Sequence, residues 1–167
     1  MTDPILADIF RQSKHLLTKA DHRGMTIGVA ESCTGGLLGA AITAMPGSSS
    51  VFQGGFLTYS NRLKEQLLGV SAQALSRHGA VSEETARQMA LGAKDRLGVD
   101  LALSITGIAG PGGGTRDKPV GTVCFGLATQ DSIETETRHF ENLTRNRVRD
   151  QAVMHALIML RRAAERR

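Results

Sequence analysis

A strand-length apolar run at 25–30 (MTIGVA) passes without a spacer into Glu31-Ser32-Cys33-Thr34-Gly35-Gly36, after which Leu37, Leu38, Ala41 and Ile42 share one helical face. That order predicts strand, tight turn and helix, the repeating unit of α/β folds. The paired glycines suit the turn, because glycine alone enters left-handed backbone without a steric penalty.

The rest of the chain continues the pattern. Leu6, Ile9, Phe10, Leu16 and Leu17 recur at helical spacing from the N-terminus and stop at Asp21-His22-Arg23-Gly24. Residues 51–60 (VFQGGFLTYS) are rich in β-formers, with Gly54-Gly55 marking a bulge or a close backbone approach. A short helix is expected over 61–68. Ser82-Glu83-Glu84 opens a longer one, with Ala86, Met89, Ala90, Ala93 and Leu97 inward and Gly98 at its end. A third strand at 100–106 (DLALSIT) leads into a glycine-rich loop, GIAGPGGGTRDKP. Residues 120–129 and 133–140 flank Gln130-Asp131-Ser132 as an antiparallel hairpin, and a last helix from about Thr144 buries Val148, Ala152, Val153, Ala156, Leu157 and Leu160. The expected fold is α/β, a three-layer α/β/α sandwich with a five-stranded mixed sheet, in one domain over 1–167.

With 167 residues, 41% of them hydrophobic, the chain can bury roughly 70% of its unfolded surface in one core. No stretch approaches the ~20 apolar residues of a membrane span, and the N-terminus reads as an amphipathic helix rather than a signal peptide, so a cytoplasmic protein is expected. Cys33 and Cys124 lack metal-ligand spacing, and Cys124 reads as core. Within a formal charge of +4, residues 138–167 carry eight arginines against Glu141, Asp150 and Glu165, a local +5. Such a segment is either a solvated helix face or a contact for nucleic acid. The absence of Trp and the single Tyr argue against base-stacking platforms.

Three segments carry chemistry. At the strand-to-helix turn, Ser32 is placed as a nucleophile facing the positive end of a helix, with the N–H groups of Thr34, Gly35 and Gly36 available to an oxyanion. The other reading is that Ser32 or Thr34 only caps the helix. Cys33 is the rival nucleophile, although alternation along a strand keeps neighbouring side chains out of the same site. In Thr58-Tyr59-Ser60-Asn61-Arg62-Leu63-Lys64, Ser60 or Asn61 caps a helix and puts Lys64 in its first turn. The helix dipole and burial both disfavour an ammonium there, so Lys64 is either a base or an ordinary solvated lysine. In Ser104-Ile105-Thr106-Gly107-Ile108-Ala109-Gly110-Pro111, Thr106 and Gly107 stand at a strand's carboxyl end, where α/β sheets bind ligands. Gly112, Gly113 and Gly114 can wrap a phosphate, but the Gly-Lys-Ser/Thr ending of a Walker motif is missing.

Taken together and in this order, AESCTGG, TYSNRLK and SITGIAGP with the following KPVGTV resemble the CinA C-terminal domain family over about 25–156. In particular the chain is similar to its stand-alone nicotinamide mononucleotide deamidases. The resemblance implies a serine amidohydrolase that converts nicotinamide mononucleotide to nicotinic acid mononucleotide and ammonia, with Ser32 as nucleophile and Lys64 as base. It also implies that no catalytic metal is needed, and no cofactor is expected. Tyr59, within the Lys64 motif, hydrogen-bonds the pair, packs on the pyridine ring or is a core residue with a satisfied hydroxyl; Asn61, Thr106 and Gly107 are assigned to the substrate site. Where relatives often carry Gly-Asp-Arg, this chain has Leu143-Thr144-Arg145, then Arg149; these arginines are expected to meet the substrate phosphate. The implied partner is a small-molecule nucleotide, not a membrane or nucleic acid, with homo-oligomerisation left open. Any activity of the larger N-terminal domain of fused relatives is expected to be missing. A competence- or damage-related nucleic-acid adaptor and a silent nucleotide-binding module are the alternatives.

Overall fold

A computed structural model describes residues 3–166; Met1 and Thr2, part of the expected first helix, and Arg167, part of the basic segment, lie outside the described residues. The elements are α1 (Pro4–His22), β1 (Ile27–Glu31), α2 (Leu37–Thr43), β2 (Phe52–Leu57), α3 (Asn61–Leu68), α4 (Ala72–His78), α5 (Glu83–Leu97), β3 (Leu101–Gly107), β4 (Thr122–Ala128), β5 (Ile133–His139) and α6 (Arg145–Glu165). A 3-10 turn at Ser48–Ser50 and helix α4 have no counterpart in the sequence reading.

The five strands form one sheet in the order β2-β1-β3-β4-β5. β1 pairs parallel with β2 and β3, while β3–β4 and β4–β5 are antiparallel, which makes the sheet mixed as expected. α1, α2 and α6 cover one face, and α3, α4 and α5 cover the other. Alternation sorts the side chains between the layers. Ile27 and Val29 of β1, Leu101, Leu103 and Ile105 of β3 and Val123, Phe125 and Leu127 of β4 enter the core under α1, α2 and α6. The intervening Ala30 and Ala102 face Leu68, Met89 and Ala93. On that second face small residues let α5 come close: Ser104 Oγ donates to Ala86 O at 2.6 Å, and a Cβ on Gly126 would collide with the same carbonyl.

The Gly54-Gly55 signal is a bulge and a close approach at once. The β1–β2 register shifts between Ile27 and Gly28, Gly54 has φ +147°, and a Cβ at Gly55 would sit 2.5 Å from Val29 Cγ2. For the site, the consequence of this topology is that Glu31 pairs with Leu57 on one side and Ile105 on the other. Ser32 and Thr58 therefore leave the ends of β1 and β2 side by side, level with Thr106, which is still paired with Cys124 inside β3, at the point where the chain order reverses direction.

Candidate active site

Lys64 is the fourth residue of α3, whose start is fixed by Ser60: its Oγ accepts from the Leu63 N–H at 3.3 Å. Helical side chains lean toward the N-terminus, so Lys64 reaches back over the β2–α3 connection. Only 1% exposed, it is among the largest fully buried side chains. Nζ donates to Thr58 O at 2.8 Å, to Tyr59 O at 3.4 Å and to Ser32 Oγ at 3.0 Å. No carboxylate is in ion-pair contact with Lys64 among the described residues. Burial pushes its pKa below the ordinary lysine value of 10.5. In the neutral form, its two hydrogens match the two carbonyls and its lone pair faces the Ser32 hydroxyl.

Ser32 follows β1 directly, and its N–H donates to Ile105 O at 3.0 Å. The turn closes through Gly35 N–H to Ser32 O at 3.0 Å, with Gly35 (φ +62°) and Gly36 (φ +94°) both left-handed, as the paired glycines predict. The expected oxyanion donors need correction. Gly35 N–H is spent on Ser32 O, and Gly36 N–H donates to the carboxylate of Glu31 at 3.1 Å. The N–H groups of Cys33 and Thr34 have no protein acceptor among the described residues. Those two are free to meet a developing negative charge beside Ser32. A carboxylate at the last strand position, five residues before the glycine it caps, is the signal that reveals this competition.

Cys33, in contrast, packs into the hydrophobic core under α2 and α6, and burial pushes its thiol up to about 12. A thiol so far from its thiolate is a poor nucleophile. Cys124 is buried on β4, as expected.

Beside the turn, a cleft of about 220 Å³ is lined by Cys33, Tyr59, Gly107, the loop through Gly113, and Arg145. Tyr59 is 60% exposed, so it is not a core residue, and its hydroxyl accepts from Arg145 Nη2 at 3.1 Å. Its link to the lysine is the backbone carbonyl. Arg145 also donates to Gly110 O at 2.7 Å, so it bridges the two walls of the cleft. Thr144 caps α6, its hydroxyl accepting from Arg147 N–H at a long 3.5 Å, with Arg145 at the first helical position. Arg149 Nη2 donates to Thr34 O at 2.9 Å and so braces the turn that follows Ser32. Thr106 differs from expectation: its hydroxyl is committed to Ala80 O at 2.7 Å and it does not line the cleft. Asn61 is exposed at the first position of α3, with no side-chain bond to this site.

Comparison with known proteins follows the same lines. The family model of the CinA C-terminal domain matches residues 10–164. A CinA-like protein of Parasynechococcus marenigrum is 48% identical over 162 residues, covering 96% of this chain and 37% of that protein. A CinA-like protein of Citrifermentans bemidjiense is 52% identical over 139 residues, covering 83% of this chain and 33% of that protein. The chain thus spans about a third of the length of the curated relatives it matches. Among solved structures, the competence/damage inducible protein CihA of Agrobacterium tumefaciens superposes with a TM-score of 0.92 at 39% identity, covering 95% of this chain and 96% of that one. A CinA superfamily protein of Klebsiella pneumoniae gives 0.90 at 34% identity, covering 94% and 98%.

Proposed function

This chain belongs to the CinA C-terminal domain family, and on that premise we propose that it is a serine amidohydrolase acting on the carboxamide of nicotinamide mononucleotide. The observation that carries the reading is the buried contact of Lys64 Nζ with Ser32 Oγ at 3.0 Å. A hydroxyl becomes a useful nucleophile when a base of suitable pKa holds its proton. A lysine whose pKa is lowered by burial is the candidate for that base, as in other variants of the serine triad that use lysine.

In this mechanism, Ser32 Oγ attacks the amide carbon as its proton passes to Lys64 Nζ. The Cys33 and Thr34 N–H groups hold the oxyanion. Lys64 returns the proton to the departing nitrogen, which leaves as ammonia. It then takes a proton from the water that attacks the acyl-enzyme, and the products are the carboxylate and free Ser32. The ribose phosphate extends along the glycine-rich wall, where backbone N–H groups and the unused N–H groups of Arg145 suit an anion.

The basic segment gives less support to a nucleic-acid adaptor. Arg138, Arg147, Arg161 and Arg166 are each in an ion pair with a carboxylate, and Arg149 is tied to a backbone carbonyl, which leaves Arg145 at the cleft rather than a stripe of free charges. A phosphate-binding stripe needs its charges free. Release of ammonia and nicotinic acid mononucleotide from nicotinamide mononucleotide tests the proposal; nucleotide binding with no product contradicts it.

A further inference from the structure

We propose that Glu31 is the positioning residue of this site, the side chain that fixes the nucleophile's turn relative to the base. The inference rests on the Ser32/Lys64 reading above. It concerns a residue that does not touch the reacting atoms.

Glu31 is the last residue of β1 and is 2% exposed. Its Oε2 accepts from the N–H groups of Gly36 and Leu38, both at 3.1 Å, and its Oε1 accepts from Gly39 at 2.8 Å. No lysine or arginine pairs with it among the described residues. A buried carboxylate is tolerated only when its oxygens are satisfied, and here backbone N–H groups alone satisfy them. The backbone of the same residue faces the base. Glu31 O accepts from Thr58 N–H at 2.9 Å, and Thr58 O in turn accepts from Lys64 Nζ at 2.8 Å. One residue therefore grips the far end of the turn through its side chain and the base's carbonyl support through its main chain.

Without the carboxylate, the turn would keep Gly35 N–H to Ser32 O, Leu37 N–H to Thr34 O and the Arg149 bond to Thr34 O, but would lose all three side-chain bonds that tie Gly36, Leu38 and Gly39 back to the end of β1. Its two left-handed glycines have no side chains to resist a shift. Ser32 Oγ and the N–H groups of Cys33 and Thr34 would all move with it. Glu31 also fills the positive start of α2, so an anionic group of a ligand is repelled there and directed toward the Arg145 side of the cleft.

The test reads Ser32 directly: the rate at which a fluorophosphonate labels Ser32, followed by intact mass and expressed per folded molecule. It is measured for the wild type, Glu31→Gln and Glu31→Asp. In Glu31→Gln, an amide nitrogen must face at least one of the backbone N–H groups that now meet an oxygen. That variant is expected to be labelled about 100-fold more slowly, the usual size of a small misplacement in a site. The apparent pKa of labelling should stay at the wild-type value, because burial is what lowers it and the Thr58 and Tyr59 carbonyls that hold Lys64 are backbone atoms that the substitution leaves in place. Glu31→Asp keeps the charge with a shorter reach and should fall between the two. A wild-type rate per folded molecule in Glu31→Gln, with only a lower unfolding midpoint, overturns the proposal by reducing Glu31 to a structural role. Should Glu31→Gln fail to fold, a wild-type rate in Glu31→Asp overturns it equally. Absence of label on Ser32 in the wild type contradicts the nucleophile reading and removes the basis for this one; it is told apart because the wild type then fails as well.

Discussion

Lys64 Nζ lies 3.0 Å from Ser32 Oγ while the carbonyls of Thr58 and Tyr59 hold its other hydrogens, so the lysine has one direction left in which to exchange a proton. Lys64→Arg keeps a cation in this position but cannot give up its charge. It is expected to bind the nucleotide and to turn over about 100- to 10,000-fold more slowly, the span typical of a lost general base. Binding is read by calorimetry and turnover by ammonia release. Near-normal turnover would make Lys64 a fixed positive charge and require another base.

The pH dependence follows from the depressed lysine. Turnover should rise with pH through an apparent pKa below 10.5, because burial favours the neutral form that acts as base. Stability carries the same sign. Between the lowered folded-state pKa and the unfolded value near 10.5, the unfolded chain binds more protons, so the native state gains stability as pH rises. In urea unfolding, any advantage of Lys64→Met over the wild type should therefore shrink with rising pH and level off above that window. An advantage independent of pH would mean that Lys64 titrates alike in both states.

Arg145 is expected to read the substrate phosphate while bridging Tyr59 and Gly110. Arg145→Ala loosens that bridge for any substrate, so the informative quantity is the ratio between nicotinamide mononucleotide and its riboside. One charge-assisted hydrogen bond is worth about 1.5–3 kcal/mol, on the order of ten- to a hundredfold in kcat/KM. The nucleotide should lose that much more than the riboside. Equal losses would show that Arg145 orders the loop without reading phosphate.

Much of this site is legible in the residues, and what is hidden has a physical reason. Ser60 followed by Lys64 at helical spacing identifies a lysine in the first turn of a helix, and the structure buries it there. The apolar run ending in paired glycines gives β1, the turn and α2 in their observed order. Helix α4 is not visible, because only Ala74 of its seven residues is buried and so short a segment has no apolar period to read. Thr106 misleads because β3 is buried on both faces; with little polar contrast along the strand, nothing in the sequence says that its hydroxyl turns toward Ala80. Gly36 misleads for a tertiary reason. Nothing local occupies its N–H; the Glu31 side chain folds back over the turn and accepts from it.

Ammonia release from nicotinamide mononucleotide, measured side by side for the wild type, Ser32→Ala and Cys33→Ala, tests the central claim most directly. The wild type should release ammonia in step with nicotinic acid mononucleotide, Ser32→Ala should release none above background while remaining folded, and Cys33→Ala should keep most of the activity, because its thiol is a core group with a pKa near 12. Retained turnover in Ser32→Ala, or its loss in a folded Cys33→Ala, would contradict the account.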